Sequence, residues 1–386
     1  MGTRLSRAVC LAAAGMVLGS TATLAAAEAQ PPIKVGAVFA VTGPASFLGA
    51  PEARTLEMRV QELNAKGGVG GRQIQLVLKD TGASPEKAVS FARQLIEEEK
   101  VFAIIGPSTS GESMAVKGLA EEGKTLLLSA AAAEAIVTPV LPHVFKVAPR
   151  DSFAVEVIFQ RMRKSGVSRI GFLSSNTGFG KGGKEQVEKL APQYGITLAV
   201  NDVYDKNATD LTAEVTKLKA ANVQAILNWS IEPAQSIVVK NARQLGLTVP
   251  IFQSHGFANL QYVKAAGSAA EGVIFPASRI VVASDLQAGD PQKPVVEAYR
   301  KAYEARYGED VSTFGGHAWD AFGILVKAIE QVGPDREKVR AAVENMKGFV
   351  GTAGVFNFSP TDHNGLDIGA FELCTVRNGR FAPLGN

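Results

Sequence analysis

Beyond residue 31 the chain alternates short apolar runs with longer amphipathic ones. Ile33 to Phe39 is apolar apart from Lys34 and reads as a buried strand. From Glu52 to Asn64 the apolar residues Leu56, Val60 and Leu63 recur at helical spacing, and Lys66-Gly67-Gly68 stops that helix. Ile74 to Leu78 is the next strand, closed by Asp80. Ser84-Pro85-Glu86 then opens a helix with a capping hydroxyl, a first-turn proline and an acid, and the helix runs to about Glu99. Val101 to Ile105 is a third strand. A turn from Gly106 to Gly111 leads into another helix, and Thr125 to Leu128 is a fourth strand.

The same order returns about 135 residues later. Arg169 to Leu173, Ile196 to Val203 and Val223 to Asn228 read as strands. Lys184 to Leu190 and a segment capped by Thr209 or Asp210 and ending near Ala220 read as helices. Strands at Ile251-Phe252 and Gly272 to Phe275 follow, then helices near 295–306 and 318–331, and a β-rich end from Gly354 to Pro383. Strands that alternate with helices predict parallel sheets covered on both faces. Two such units predict an α/β protein of two doubly wound lobes with a cleft between them. The period is too long for a solenoid.

The first thirty residues stand apart. Arg4 and Arg7 precede an apolar run from Ala8 to Leu18, and small residues at 25–29 suit a signal peptidase. The run is shorter than the ~20 apolar residues that a bilayer requires. Residues 1–27 are therefore expected to be a cleaved signal peptide, with a mature start between Glu28 and Pro31 and a periplasmic destination. Removal takes Cys10 away and leaves only Cys374, so no internal disulfide is expected. With 40 Lys+Arg against 37 Asp+Glu the net charge is +3, which gives no basic face for nucleic acid. Two cysteines and four histidines without zinc-type spacing argue against a metal site.

Particular residues now narrow the class. Ile33-Lys34-Val35-Gly36, Thr42-Gly43-Pro44, Asn64 to Gly71, Ile105-Gly106-Pro107, Phe145-Lys146-Val147 with Arg150-Asp151, Phe179-Gly180 and Ala269-Ala270-Glu271-Gly272 together resemble the leucine/isoleucine/valine-binding branch of the periplasmic substrate-binding proteins. Those proteins serve ABC importers. The resemblance implies a type I architecture in which two lobes are joined by a three-segment hinge. Carried over, one lobe would hold 31–149 with 278–350 and the other 150–277 with 351–386, with crossings near Ala148-Pro149, Ala277-Ser278 and Gly351. It further implies a monomer without cofactor or enzymatic activity, working with an inner-membrane permease and a separate ATPase.

Ser110 is the sharpest candidate for chemistry. It follows a buried strand and opens a helix, where unpaired N–H groups and the helix dipole accept an anion. The corresponding family serine binds a ligand carboxylate; otherwise Ser110 is a helix cap. The next strand end, including Ala131 and Ala133, would offer backbone groups to the ligand. The resemblance departs here from the amino-acid binders. They have a threonine where Ala133 stands and a glutamate where His255 stands, and both oxygens hold the ligand ammonium. A buried ammonium without a counter-charge is costly. The expected solute is therefore a small organic acid, an aromatic or keto carboxylate, with a branched-chain or other amino acid as the alternative. Phe47, Leu48, Phe179, Trp229, Ile231 and Phe314 fall where the family packs the ligand side chain, with His317 and Trp319 nearby. Glu232 is the acid to suspect should an amino acid bind after all.

One motif competes. Gly178-Phe179-Gly180-Lys181-Gly182-Gly183 matches the dinucleotide fingerprint and Asp202 follows about twenty residues later, as in an NAD-dependent oxidoreductase. Three polar residues separate strand from glycine, however, where the fingerprint requires an immediate turn. Gly106-Pro107-Ser108-Thr109-Ser110 lacks the last glycine of a hydrolase elbow.

Overall fold

The structure, a computed structural model, describes residues 1–2 and 30–385. The expected signal peptide lies almost wholly outside the described residues. Among the described residues no helix is long and apolar enough to cross a membrane.

The first sheet is fully parallel. β1 (Ile33–Phe39) runs between β2 (Ile74–Asp80) and β3 (Ala103–Ile105), with Ile33 opposite Ile74 and Val35 opposite Ala103. β4 (Leu126–Ser129) and β5 (Val144–Lys146) extend it to the order β2-β1-β3-β4-β5. β1 is buried on both faces except at Lys34, whose Nζ escapes to Glu99 at 2.9 Å. Burial on both faces is why it reads as an unbroken apolar run.

The second sheet repeats the plan. β6 (Arg169–Ser175) lies between β7 (Thr197–Tyr204) and β8 (Ala225–Trp229), and β9 (Ile251–Gln253) and β10 (Ile274–Ala277) continue in parallel. After a small ribbon of β11 (Phe349–Val350) and β12 (Val355–Phe356), the chain adds β13 (Glu372–Arg377) antiparallel to β10, and β14 (Arg380–Pro383) antiparallel to β13. The order is β14-β13-β10-β9-β8-β6-β7. Two doubly wound α/β sheets are thus present, as expected.

Helices cover both sheets: α1 (Ser46–Ala65), α2 (Pro85–Arg93), α3 (Ser110–Glu122), α4 (Asp151–Lys164), α5 (Gly178–Leu190), α6 (Thr212–Ala220), α7 (Ala234–Gln244), α8 (Leu260–Ala266), α9 (Lys293–Tyr307), α10 (Thr313–Val332) and α11 (Arg336–Glu344). Three begin earlier than the pattern predicts: α10 at Thr313 rather than Ala318, and α1 and α5 with larger consequences. α1 starts at Ser46 rather than Glu52, carrying Pro51 inside it. Proline has no N–H to meet the carbonyl four residues back. That carbonyl, of Phe47, instead accepts the Asn259 amide from the second lobe at 2.7 Å. The break in the helix ladder becomes a tie between lobes.

α5 starts at Gly178 rather than Lys184, so the glycine-rich segment is its first turn, capped by Thr177, which accepts the Gly180 N–H at 3.2 Å. Its glycines permit close packing. A Cβ on Gly180 would stand 1.9 Å from the Ser175 carbonyl oxygen, and one on Gly183 2.1 Å from Trp229 Nε1. They admit neighbours of the same chain, not a pyrophosphate, and the dinucleotide reading loses its motif.

The last crossing also differs. Ala353, Phe356, Phe358, Leu366 and Ala370 pack into the core of the first sheet, while Phe371, Cys374 and Val376 pack into that of the second. The segment after Gly351 was expected in the second lobe; instead it stays with the first until Ala370. Ring contacts hold it there: Phe358 meets Phe145 edge-on at 5.7 Å, and His363 stacks on Phe145 at 3.9 Å. Asn364 Nδ2 donates to the carbonyls of Lys146 and Ala148, tying this segment to the first crossing.

Candidate functional site

In both sheets the strand order reverses beside β1 and beside β6, and open α/β sheets bind ligands beyond the carboxyl ends of strands at such points. The loops after β3, β4, β6, β8 and β9 meet there. Leu48, Ser108, Ser110, Ala130 to Ala132, Ala148, Phe179, Ile231, His255, Gly256, Phe314 and His317 line a small space between the lobes. Its volume of about 20 Å³ is little more than one water molecule needs. The lobes therefore stand closed on this space. Leu48, Ala132, Ala148 and Phe314 belong to one continuous apolar cluster with the second-lobe core, so closure itself buries apolar surface.

The anion end follows from the start of α3. Thr109, not Ser110, caps the helix: its hydroxyl accepts the Glu112 N–H, and the Glu112 carboxylate in turn accepts the Thr109 N–H. This reciprocal box leaves the Ser110 hydroxyl for other work. Ser110 Oγ accepts the Ala133 N–H at 3.2 Å, so its own proton remains free to donate. Beside it the Ser108 hydroxyl bonds the Glu52 carboxyl and accepts the Ala40 N–H at 3.0 Å. Burial raises the Glu52 pKa well above the usual carboxylate range.

Next to His255, just outside the lining of the space, lies a group that the sequence pattern does not single out. Asp151, the first residue of α4, is fully buried and neither carboxylate oxygen has a hydrogen-bond partner. Its Oδ1 lies 3.6 Å from His255 Nε2. Its Oδ2 faces Gly182, where an added Cβ would stand 3.1 Å from Oδ2 and 3.3 Å from the Ala133 Cβ. Ser110 and Asp151 thus approach Ala133 from two sides. Lys146, also fully buried, directs its Nζ to the carbonyls of Ala132, Ala148 and Pro149 at 2.8, 2.7 and 3.2 Å. Burial raises the Asp151 pKa while the Lys146 charge opposes it. Burial lowers that of Lys146, with Asp151 opposing in turn.

His255 and His317 are neutral. Burial pulls each down to about 3, with the Lys146 charge adding to it. Both ring nitrogens of each lack a hydrogen-bond partner. His255 packs among Phe179, Trp229 and Phe371 at ring distances of 5.3, 5.6 and 5.4 Å.

Of the residues singled out from sequence, Ser110, Ala131, Leu48, Phe179, Ile231, His255 and Phe314 line the space. Three do not. Trp229 is fully buried behind Phe179, in the recess that Gly183 leaves open. Phe47 packs edge-on against Tyr262 and borders a separate crevice with Arg54 and Lys264. Ala133 reaches the site through its backbone N–H. Trp319 lies elsewhere, under the Arg59 guanidinium at 4.0 Å. Glu232 turns to Ser230 Oγ (2.7 Å) and the Ile231 N–H (3.2 Å) and borders an outer crevice. Among the described residues no group of three or more His, Cys, Asp or Glu is placed to hold a metal ion.

Two α/β lobes with a small space between them, onto which the start of α3 opens, have the geometry of a solute receptor. Residues 32–372 match the periplasmic binding protein family, and the chain belongs to it. It is a solute-binding protein of periplasmic transport, not an enzyme. The leucine-, isoleucine-, valine-, threonine- and alanine-binding protein of Pseudomonas aeruginosa is 26% identical over 369 residues, covering 94% of this chain and 92% of that protein. Among solved structures, an extracellular ligand-binding receptor from Rhodopseudomonas palustris HaA2 superimposes with a TM-score of 0.86 at 29% identity, covering 92% of this chain and all of that one. A branched-chain amino acid transporter substrate-binding protein from Streptococcus pneumoniae, in complex with isoleucine, gives 0.81 at 25% identity, covering 91% of this chain and 97% of the other.

Proposed function

We propose that this protein captures an α-amino acid in the periplasm and passes it to the permease of an ABC importer. The observation that carries the reading is Asp151. The replacement of the family's threonine and glutamate by Ala133 and His255 removes two ammonium partners and argues for an acid without an amino group. Asp151 supplies a carboxyl group beside His255, 3.6 Å from its Nε2, buried and without a hydrogen-bond partner. A buried unpaired carboxylate is costly, and a bound ammonium relieves that cost. The printed names of the Pseudomonas and Streptococcus relatives point the same way. In this reading Ser110 and the α3 N-terminus hold the carboxylate, Asp151 the ammonium, and Leu48, Phe179, Ile231 and Phe314 the side chain.

A second reading keeps the solute a keto or aromatic carboxylate. It is favoured by the raised Asp151 pKa, since a protonated Asp151 donates to a carbonyl oxygen. Paired titrations by calorimetry separate the two: leucine against 4-methyl-2-oxopentanoate, and phenylalanine against phenylpyruvate. The amino acid is expected to bind at least ~10-fold tighter in the pair that fits, as one charged hydrogen-bonded contact provides. Tighter binding of the oxo acid in both pairs would replace the proposal with the second reading.

Ser110→Ala tests the other end. It removes a hydrogen bond to a charged group, so affinity for the preferred solute should fall roughly 10-fold or more. The unliganded melting temperature should fall by only a few degrees: Thr109 keeps the helix cap, while the buried Ala133 N–H loses its acceptor. Unchanged affinity would remove Ser110 from the site.

A further inference from the structure

We infer that the solute carries a hydrogen-bonding group on its side chain, a hydroxyl or an amide, and that His317 is the residue that reads it. The inference rests on the amino-acid reading above and goes beyond it. His317 is 4% exposed, lines the enclosed space, and neither ring nitrogen has a hydrogen-bond partner. The Ala130 carbonyl faces the ring as a weak acceptor outside hydrogen-bond geometry, so at most one of the two nitrogens is engaged by it. A neutral imidazole presents one donor and one acceptor.

The solute's head groups do not account for it. Ser110 and the α3 N–H groups match a carboxylate, and the two oxygens of Asp151 match an ammonium. His317 comes from neither set but from the first turn of α10, three residues after Phe314 and on the same helix face. Its backbone has little freedom to turn away. A Cβ on Gly315 would stand 2.1 Å from Tyr299 Oη, and one on Gly316 2.5 Å from Thr352 Oγ1, so α10 is seated tightly on both sides. Of the remaining wall, Leu48, Phe179, Ile231 and Phe314 suit hydrocarbon, the Ser108 hydroxyl is bonded to Glu52, and His255 turns its Nε2 toward Asp151 Oδ1 at 3.6 Å, at the ammonium end. A purely hydrocarbon side chain closed into this site would leave the imidazole buried and unpaired. Sites built to bond a polar group reject the analogue lacking it, by ~10⁴–10⁵ in the strongest cases.

The test is calorimetry on the mature protein with pairs of similar shape: threonine against valine, asparagine against leucine, glutamine against methionine, tyrosine against phenylalanine. The polar member should bind at least ~10-fold tighter in the pair that fits, one hydrogen bond's share of affinity. His317→Phe should abolish that preference and strengthen binding of the apolar member. His317→Gln, which keeps a donor and an acceptor, should retain it. Equal or tighter binding of the apolar member in every pair overturns the inference, as does a preference that survives His317→Phe. Failure of the amino-acid reading has a different signature: no amino acid binds. The same comparison is then made with 4-hydroxyphenylpyruvate against phenylpyruvate, where a polar preference lost in His317→Phe upholds the role of His317. Equal binding of that pair, or binding of neither, overturns it.

Discussion

Asp151→Asn is expected to weaken amino-acid binding by roughly 100-fold or more, as removal of one partner from a desolvated charge pair does. Asparagine keeps the shape of the side chain and one acceptor oxygen, so the loss reports charge. The 2-oxo acid of the same carbon skeleton has no ammonium, and its affinity should hold or improve. The ratio of the two affinities is the decisive readout. Lys146 loses a compensating charge in this variant, which lowers the unliganded melting temperature to some degree. Retained oxo-acid binding shows that the cleft is intact despite this. An equal loss for both solutes would mean that Asp151 only supports the hinge.

The same residue sets a pH dependence whose sign is fixed. Burial raises the Asp151 pKa in the unliganded protein, whereas a bound ammonium favours its ionised form and lowers it. Binding therefore releases a proton wherever Asp151 is still protonated. Amino-acid affinity should rise with pH until the unliganded Asp151 has ionised, then level off. His255 and His317 add nothing to the slope near neutrality, because burial holds both near 3. Titrations in buffers of different ionisation heat would count the protons, and Asp151→Asn should reduce the slope to the share of Lys146, which burial pulls down to about 7.

What the sequence made legible was local. Ser110 stood out because a strand end, a turn and a helix start lie within a few residues, and their geometry follows from that order alone. The apolar runs of β1, β3, β6 and β8 were legible for the same reason: strands buried on both faces carry no alternation to confuse. Asp151 was hidden because its role comes from Gly182 and His255, which only the closed fold brings to it. Trp229 was misjudged as a wall because its depth depends on an absent side chain at Gly183. His317 was a matter of helix phase. With α10 begun at Thr313, positions 314 and 317 share a face and 319 turns away. A start at Ala318 loses that phase. The last crossing was misplaced because Gly351 looks like a hinge locally, while aromatic packing by Phe356 and Phe358 keeps the chain in the first lobe.

Gly178→Val is expected to hold the lobes apart and to reduce affinity by two orders of magnitude or more, although Gly178 lies at the mouth of the cleft, outside the enclosed space. In the closed form a Cβ at position 178 would stand 2.7 Å from both the Cα and the N of Gly111, at the start of α3 in the other lobe. Both atoms are backbone of a helix that also carries Ser110, so neither can give way cheaply. Gly178 has no positive φ, and a side chain there strains nothing within its own lobe. The cost falls on closure alone. The two glycines are not equivalent. A Cβ on Gly111 would find its nearest neighbour, Gly178 N, at 3.8 Å, an ordinary contact. Gly111→Ala should thus bind almost as the parent does, Gly178→Ala should bind at least ~10-fold weaker, and Gly178→Val weaker still. The loss should appear as faster dissociation, since the open form still admits the solute and only the closed form retains it. Small-angle scattering supplies the structural check. Saturating ligand should contract the parent and the Gly111→Ala protein, and contract the Gly178→Val protein less. If Gly178→Ala closes and binds as the parent does, α3 and α5 do not set the limit of closure.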